Sequence, residues 1–364
     1  MAAGHLAVYP AGGRAAGVKA SGFSARTVAP QALHPHEVAR WEELCRTVPA
    51  LASPFLSVHY ARAVAASGVD VRVCVISRDG APRAFLAYQM AGRLGHWLHS
   101  AEPAGGAMTD YFGLVAEPGL VLEPALLLRL ARLNYLAFSH LDETQRQLGL
   151  DGEQPRTGLR VRLDHGAGAP LDALLAERHK YRKDSERRMR QVSAEVGPLA
   201  FVFDAAADRA GLLDQLVEHK RAQYARTGAP DALAQPWKTR LLAELSGYRF
   251  DSCRALLSTL AAGDQWLAMH IGLVGNGVLQ YWLPVYNPAL SKYAPGRLLI
   301  HHIIAGSAAA GIHTIDRGEG DTASKRELAN EEHQFLRGVW QNQSPSSLIA
   351  KGLNSIKWRL ATRK

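Results

Sequence analysis

The sequence contains few cysteines and no long uninterrupted apolar run. Its three cysteines, Cys45, Cys74 and Cys253, are scattered singly and lack the spacing of metal ligands. They are typical of buried thiols in a reducing compartment. No apolar run approaches the ~20 residues that a membrane span needs, and the N-terminus lacks a charged segment followed by a sustained apolar core. We therefore expect a soluble cytoplasmic protein.

The composition also lacks the strong residue biases that mark fibrous or disordered chains. Apolar residues make up 47% and charged residues 21% of the 364 positions, which is typical of globular proteins. This length is sufficient for two domains of ordinary size. The net charge of +9 has two interpretations. One is an anionic partner such as CoA, a nucleotide-linked sugar, RNA or an acidic membrane face, and the other is a basic surface produced by an arginine-rich composition.

The two halves of the chain have the same order of predicted elements. Each has helices, two or three antiparallel strands, a glycine-bearing loop, a helix and a further strand, although no close sequence repeat is visible. The order indicates one fold used twice. We predict a mobile tail over residues 1–24, domains over residues 25–165 and 166–342, and a basic amphipathic helix over residues 343–364.

Three further segments give expectations that a structure can check. We predict a short strand at residues 96–98, a linker over residues 164–170 and a single charged helix from residue 171 to about residue 192. The charged helix has two interpretations: a solvated face, or a basic strip that meets a polyanion or a membrane surface.

Residues 268–325 are where we expect the ligand and the chemistry. Two β-rich runs joined by Gly275-Asn276-Gly277 predict a hairpin, because these residues tolerate positive φ. A loop over residues 287–296 leads to an apolar helix over residues 297–310 and then to a further strand. Strand, loop, helix and strand form a βαβ-like crossover, and the open N-terminus of its helix is an anion site. We predict that a diphosphate-bearing cofactor lies on the amides near Gly296.

These motifs resemble the GNAT acyltransferase superfamily, and the closest match is its CelD-like branch, which is linked to cellulose and other exopolysaccharide biosynthesis. The resemblance extends from about residue 25 to residue 340. It is carried by Tyr293-Ala294-Pro295-Gly296-Arg297-Leu298-Leu299, Tyr281-Trp282, Asp316 to Asp321 and Lys325, together with Lys220 to Tyr224, Trp237, Ser53-Pro54-Phe55 and Asp110-Tyr111.

The resemblance implies an α/β (α+β) fold of two tandem GNAT-like domains, each a mixed, mostly antiparallel sheet flanked by helices. Fem-type peptidoglycan aminoacyltransferases and leucyl/phenylalanyl transferases share this tandem architecture. It also implies transfer of an acyl group, expected to be acetyl, from acyl-CoA to an amine.

The resemblance places the pantetheine arm of acetyl-CoA along residues 278–286 and its pyrophosphate at the loop and helix start. The implied cofactor-binding residues are Tyr293, Pro295, Gly296, Arg297 and Leu298. The sequence departs from the usual Gln/Arg-x-x-Gly-x-Gly/Ala loop, because it offers a single glycine preceded by proline.

Acyl transfer to an amine requires a base for the ammonium, a donor for the oxyanion and a proton for the leaving thiolate. Asp316 is the first candidate for the carboxylate and Asp321 the second, although Asp321 also suits the N-cap of the following helix. His270 is a candidate base or a core histidine. The hydroxyl of Tyr281 is a candidate proton donor.

A further group of residues is predicted to bind the acceptor in a cleft between the halves. It comprises Tyr286, Lys325, Asp110 and Tyr111. For Asp110 and Tyr111 a role in domain packing is an equal alternative, and Lys325 also suits a helix surface. The adjacent His301 and His302 point in different directions on a helix and make a poor metal pair, so we predict no metal.

Three functions compete at this stage. The first is a CoA-dependent N-acyltransferase acting on a small-molecule or glycan amine, such as an amino sugar in polysaccharide assembly. The second is a Fem-like transferase that uses aminoacyl-tRNA, for which nucleic-acid binding is expected. The third is a non-catalytic scaffold in peripheral contact with a membrane or with polysaccharide-synthesis proteins.

Overall fold

The computed structural model describes residues 18–163 and 170–362. Their strands form one mixed sheet. The strands are β1 (Val18–Ala20), β2 (Phe23–Val28), β3 (Val71–Arg78), β4 (Ala81–Met90), β5 (Ser100–Pro103), β6 (Val115–Ala116), β7 (Tyr135–Asp142), β8 (Gln154–Arg162), β9 (Leu199–Val202), β10 (Arg249–Phe250), β11 (Cys253–Ala262), β12 (Gln265–Gly275), β13 (Val278–Tyr286), β14 (Thr314–Glu319) and β15 (Glu331–Gln341).

Helices flank this sheet, as the implied α/β fold requires. They are α1 (Pro35–Thr47), α2 (Val58–Ala66), α3 (Gly92–Leu98), α4 (Pro124–Ala131), α5 (Pro170–Leu175), α6 (His179–Glu195), α7 (Arg209–Thr227), α8 (Pro236–Ser246), α9 (Pro295–Ser307), α10 (Ala323–Arg326) and α11 (Pro345–Thr362). Among the described helices, none combines the length and the apolarity needed to cross a membrane.

The sheet follows the order β1-β2-β3-β4-β5-β7-β15-β8-β14-β13-β12-β11-β10, with β6 beside β4 and β9 beside β11. The described strand pairs are antiparallel except β5–β7 and β13–β14. The expectation of a mixed, mostly antiparallel sheet flanked by helices is therefore confirmed.

Two strands cross between the halves. The last strand, β15, lies between β7 and β8, while β8 pairs on its other side with β14. The predicted domains over residues 25–165 and 166–342 thus share a continuous sheet, and β8 and β15 each complete the pairing of a strand from the other half. This exchange brings loops from the first half next to β14.

Helices cover both faces of the sheet, because successive side chains along each strand point to opposite faces. Along β12, Met269 and Ile271 point into a core shared with α1, α2, α7 and α8, which spans both halves. Ala268, the residue before Met269, points to the opposite face, where α5, α6 and α9 form a second core. In the first half α4 covers that opposite face in a third core. Trp41 fixes α1 on the shared face through a hydrogen bond from Nε1 to the Leu56 carbonyl, 2.8 Å long.

Some predicted elements differ from those observed. The strand predicted at residues 96–98 is wrong, because these residues end α3, and His99 closes that helix with a φ of 49° before β5 begins. The single helix predicted over residues 171–192 is two helices, α5 and α6. Of the predicted tail, residues 18–24 form β1 and the start of β2. Residues 1–17 and 164–169 lie outside the described part of the chain.

Candidate functional site

The two parallel strands of the second half diverge. Strands β13 and β14 pair only over Val278–Gln280 and Thr314–Asp316. Beyond this point β13 continues beside β12 as far as Tyr286, whereas β14 turns towards β8, where Glu319 is opposite Gly158. The edge of β13 after Gln280 is therefore not paired with β14.

A bulge in β13 stands at the start of the divergence. Ile271 of β12 pairs with Leu283 and Leu273 pairs with Gln280, so Gly272 is opposite two residues of β13. A Cβ on Gly272 would lie 2.5 Å from the Gln280 carbonyl oxygen. Glycine is required here because a bulge brings the two backbones close together.

A cleft of about 460 Å³ opens where the strands diverge. Residues of both halves line it: Asp110, His140, Arg156, Tyr281, Trp282, Pro284, Arg317, Gly318, Glu319 and Lys325. Of the residues predicted from the sequence, the structure thus brings Asp110, Tyr281 and Lys325 together. The cleft lies at the junction of the two halves, where an acceptor site was expected.

Asp110 is the cleft carboxylate without a hydrogen-bond partner among the described residues. It follows a short 3₁₀ turn and Thr109, whose hydroxyl is bound to Tyr60 Oη at 2.8 Å. A Cβ added to Gly318 would be 3.9 Å from Asp110 Oδ2, which places the carboxylate beside β14. Burial raises the pKa of Asp110 to about 6; the charges of His140 and Lys325 lower it, and those of Asp316 and Glu319 raise it. A carboxylate with this pKa suits a general base near neutral pH.

Glu319, the other carboxylate of the cleft, is fully engaged. Arg156 Nη2 lies 2.5 Å from Glu319 Oε1, and His140 Nε2 lies 3.3 Å from Oε2. Burial raises the pKa of Glu319, but the hydrogen bond from His140 and the charge of Arg156 hold it below the ordinary value overall. Glu319 therefore stays ionised and is less available as a base than Asp110.

Two cations in the cleft interact with carbonyl groups rather than carboxylates. Arg317 Nη1 donates to the Ser324 carbonyl at 2.8 Å, and the guanidinium lies 5.9 Å from the centre of the Tyr281 ring. Lys325 Nζ donates to the carbonyls of Glu319 at 2.7 Å and Gly318 at 3.3 Å. Burial lowers the pKa of both groups. Lys325 was predicted from the sequence, whereas Arg317 was not.

Asp316 belongs to a buried network behind the cleft. It is 1% exposed, and its carboxylate receives hydrogen bonds from Arg160 Nε at 3.0 Å and from the Gly318 N–H at 2.8 Å. His333 Nε2 lies 3.4 Å away. Arg160 also binds Glu331. This geometry favours a role for Asp316 in holding β8, β14 and β15 together, since its oxygens are occupied and it does not line the cleft.

Tyr111 joins the same network. Its hydroxyl donates to Asp142 and also contacts Arg160 Nη2, and its ring meets Phe335 edge-on at 5.1 Å. Tyr111 is 4% exposed. Of the predicted pair, Asp110 thus faces the cleft whereas Tyr111 packs between strands of the two halves.

Asp321 and His270 lie away from the cleft. Asp321 is exposed and forms an ion pair with Arg326 at 2.5 Å, and the N-cap of α10 is Thr322 rather than Asp321. His270 is fully buried, stacks on Tyr281 at 4.3 Å, and neither ring nitrogen has a partner among the described residues. Burial lowers the pKa of His270 to about 3, so it is neutral at physiological pH.

The remaining tyrosines have different environments. Tyr281 lines the cleft, and burial raises the pKa of its hydroxyl, which keeps it protonated. Tyr293 points to α6, where its hydroxyl donates to Glu195 at 2.6 Å. Tyr286 ends β13 with the Arg226 guanidinium 5.9 Å from its ring centre. Of the three, only Tyr281 is among the residues that line the cleft.

The start of α9 offers few groups for a diphosphate. Pro295 has no N–H, and the N–H groups of Arg297 and Leu298 both donate to the Ala294 carbonyl. Among these first positions of the helix, only the N–H of Gly296 is left for a phosphate. A Cβ on Gly296 would meet no atom within 4 Å. The Arg297 guanidinium is held by Asp184 and Glu327. The diverging strands thus fit an extended arm, whereas the helix start fits a diphosphate poorly.

Three functional candidates were not singled out from the sequence. Arg317, His140 and Arg156 line the cleft, but an arginine in a strand or a histidine near a strand end carries no motif. The alternation of β14 was an available signal, because it places Arg317 on the face opposite Asp316. Lys220, part of the resemblance, donates to the Pro284 carbonyl behind the cleft wall at 2.8 Å, and burial lowers its pKa to about 8.

Comparison with known families identifies the class of fold. Residues 179–326 match the acetyltransferase (GNAT) domain family. This segment includes α9, the diverging strands β13 and β14, and Arg317 and Lys325. The fold is GNAT-like, and the match supports an acyltransferase.

Known structures of similar fold span most of the chain. The C-terminal DUF2156 domain of a putative lysylphosphatidylglycerol synthetase from Agrobacterium fabrum is similar with a TM-score of 0.53 and 14% identity, over 86% of this chain and 95% of that one. FemX is similar with a TM-score of 0.54 and 11% identity, over 82% of this chain and 96% of that one. No curated protein sequence matches the chain.

Proposed function

We propose that the protein is an N-acyltransferase that moves an acyl group from acyl-CoA to an amine held in the cleft between β13 and β14. The observation that carries this proposal is the juxtaposition of the unpaired edge of β13 with Asp110, a carboxylate free of hydrogen bonds among the described residues. The matched GNAT domain supports the transfer chemistry. The CelD-like resemblance favours an amino sugar of exopolysaccharide biosynthesis as acceptor, an acetyl group as cargo and a cytoplasmic location.

The cleft contains groups for each requirement of the reaction. Asp110 accepts the proton of the acceptor ammonium, for which a pKa of about 6 is suitable. Backbone N–H groups along the β13 edge are fixed dipoles that stabilise the oxyanion. The Tyr281 hydroxyl supplies a proton to the leaving thiolate. Because the start of α9 fits a diphosphate poorly, no step of this mechanism depends on Pro295, Gly296 or Leu298.

Thiol release tests the proposal. The full chain is incubated with acetyl-CoA and a panel of amines that includes glucosamine, and free thiol is measured over time. The expected result is amine-dependent thiol release that Asp110→Asn removes, together with thermal stabilisation by acetyl-CoA. The absence of both binding and turnover at saturating acyl-CoA would count against the proposal.

A Fem-like transferase that uses aminoacyl-tRNA is the second candidate. The start of α9 favours it, because the carboxylates of Asp184 and Glu327 lie beside Arg297, where CoA phosphates were expected. The basic helix α6 lies alongside, with Arg188 bound to the Lys292 carbonyl at 2.8 Å. Transfer from an aminoacyl ester needs the same base and oxyanion donors. Its signature is tRNA binding that weakens steeply with salt, and acyl-CoA turnover without tRNA binding would exclude it.

A further inference from the structure

The charges of the cleft do not balance. Arg156 is neutralised by Glu319 at 2.5 Å. The remaining charged groups of the cleft lining are Arg317, Lys325 and the single carboxylate of Asp110. No ion pair joins either cation to a carboxylate within the described residues, where their partners are backbone carbonyls. The cleft therefore has an excess of positive charge before any ligand binds.

Arg317 is the less satisfied of the two cations. Its Nε is buried and has no hydrogen-bond partner in the described part of the chain. Its neighbours are the Tyr281 ring and two carbonyls of α10, those of Ser324 and Lys325. Buried charges are ordinarily paired, because removing an unpaired charge from water is costly. A cost of this kind at the wall of an open cleft is offset when an anion binds.

Arg326, the residue after Lys325, has a different environment from the two cations of the cleft. It is paired with Asp321 at 2.5 Å and with Glu332, and it does not line the cleft. The neighbouring cations Lys325 and Arg326 therefore differ in a specific way: the exposed one is saturated by carboxylates, and the one in the cleft is left without them. A general excess of arginine does not account for this distribution.

We propose that Arg317 and Lys325 form an anion subsite, and that the amine acceptor carries a carboxylate or phosphate which this subsite binds. Asp110 and Lys325 both approach Gly318: Asp110 Oδ2 lies 3.9 Å from the position of its added Cβ, and Lys325 Nζ lies 3.3 Å from its carbonyl oxygen. A compact acceptor can thus place its ammonium at Asp110 and its acidic group at the two cations. The acceptor class is an amino acid or an acidic or phosphorylated amino sugar. The identity of the acceptor rests on the proposed function, whereas anion binding does not.

Anion binding is tested without turnover. Thermal unfolding of the full chain is followed in titrations of sodium phosphate and of sodium acetate, each against sodium chloride at equal ionic strength. The variants are Arg317→Gln and Lys325→Met, with Arg326→Gln as the matched control. Phosphate or acetate is expected to raise the melting temperature of the wild type and of the control, and the apparent affinity should fall about tenfold or more in the two cleft variants.

Each outcome distinguishes a ligand subsite from a structural cation. Equal anion stabilisation in the wild type and in both cleft variants would overturn the subsite, as would an equal loss in Arg326→Gln. If Arg317→Gln does not fold, Lys325→Met carries the comparison alone. The preferred anion separates the two sources: a shift with phosphate alone indicates a phosphorylated acceptor, and a shift with acetate indicates a carboxylate.

A turnover arm then tests the acceptor. Glucosamine, glucosamine 6-phosphate and glycine are compared in thiol release from acetyl-CoA. We expect the acidic acceptors to have the lower KM and Lys325→Met to raise that KM, whereas the control Arg326→Gln should leave it unchanged. Anion binding without any turnover would retain the subsite and reject the acyl-CoA function. Turnover with no preference for acidic amines would retain the function and reject the subsite as an acceptor site.

Discussion

The corresponding gaps in the two halves differ: one is open and the other is filled. In the second half the order is hairpin β12–β13, helix α9 and strand β14, and the cleft lies between β13 and β14. In the first half the order is hairpin β3–β4, helix α4 and strand β7. There β5 lies between β4 and β7, antiparallel to one and parallel to the other, and the buried side chains of Phe112 and Leu114 pack nearby.

The difference follows from the connections. Residues 91–123 join β4 to α4, whereas residues 287–294 join β13 to α9. The longer connection fills the gap of its own half and carries Asp110 to the cleft of the other. The first half thus has a filled gap and supplies a carboxylate to the lining of the cleft in the second half, which explains why both halves contribute to a single cleft.

Asp110→Asn gives the largest expected effect, because it removes the proposed general base, which the first half contributes to the cleft. The rate of acyl transfer should fall about 10²-fold or more, the usual range for loss of a general base. In the wild type the rate should decline as pH falls through about 6, where Asp110 becomes protonated. This inflection should be absent from the residual activity of the variant. The measurement is kcat against pH, with melting temperature as a check on folding.

Asp151→Asn is the control for this prediction, since Asp151 is an exposed carboxylate paired with Arg146 at 2.9 Å. Its rate should match the wild type. An unchanged pH inflection in Asp110→Asn would assign the base to another residue.

Asp316→Asn should reduce stability more than chemistry. Removing this charge leaves Arg160 with fewer partners at the junction of β8, β14 and β15, and breaking a buried ion pair costs about 3 kcal/mol. Urea denaturation of the variant measures this loss. The opposite result, full stability with no activity, would restore Asp316 as the base that the sequence suggested.

The elements of the second half were largely predictable. The turn Gly275-Asn276-Gly277 predicted the hairpin, and Asn276 and Gly277 have positive φ there, 48° and 79°. The apolar helix and the strand after it complete the crossover as expected. These features depend on local turn chemistry and on periodicity.

Two features were not predictable in the same way: the strands that fill the gap of the first half, and the cations that pair with the carboxylates. Strands β5 and β6 are four and two residues long, too short to show a period. Arg160, which occupies Asp316, is 156 positions away in sequence. The alternation of side chains along β14 shows which residues share a face, but it does not show which carboxylate pairs with a cation. For this reason Asp316 was the first candidate base from the sequence, and Asp110 was predicted only to bind the acceptor or to pack between the halves.

Gly272→Ala should disturb the open gap itself. A Cβ at this position meets the Gln280 carbonyl oxygen at 2.5 Å, and because that atom is backbone, β13 must shift. We expect a loss of about 2 kcal/mol in the free energy of unfolding, typical of overpacking, together with weaker binding of acetyl-CoA. Gly296→Ala is the matched control, because a Cβ there meets nothing within 4 Å. Normal stability and donor binding in Gly272→Ala would show that the bulge does not set the divergence.

His270→Gln has the smallest expected effect and tests the protonation of the buried histidine that stacks on Tyr281. Because burial holds the pKa of His270 at about 3, below its ordinary value, the unfolded chain takes up a proton near pH 6.5 that the folded chain does not. Stability is therefore present above that pH and is lost as pH falls through it. Between pH 7 and pH 5.5 this histidine should account for about 1 kcal/mol. Urea denaturation at the two pH values should show a correspondingly smaller decrease for His270→Gln than for the wild type. An equal decrease in both proteins would mean that His270 is protonated in the folded state, and a charged imidazole on Tyr281 would make it a candidate participant in the cleft rather than a core residue.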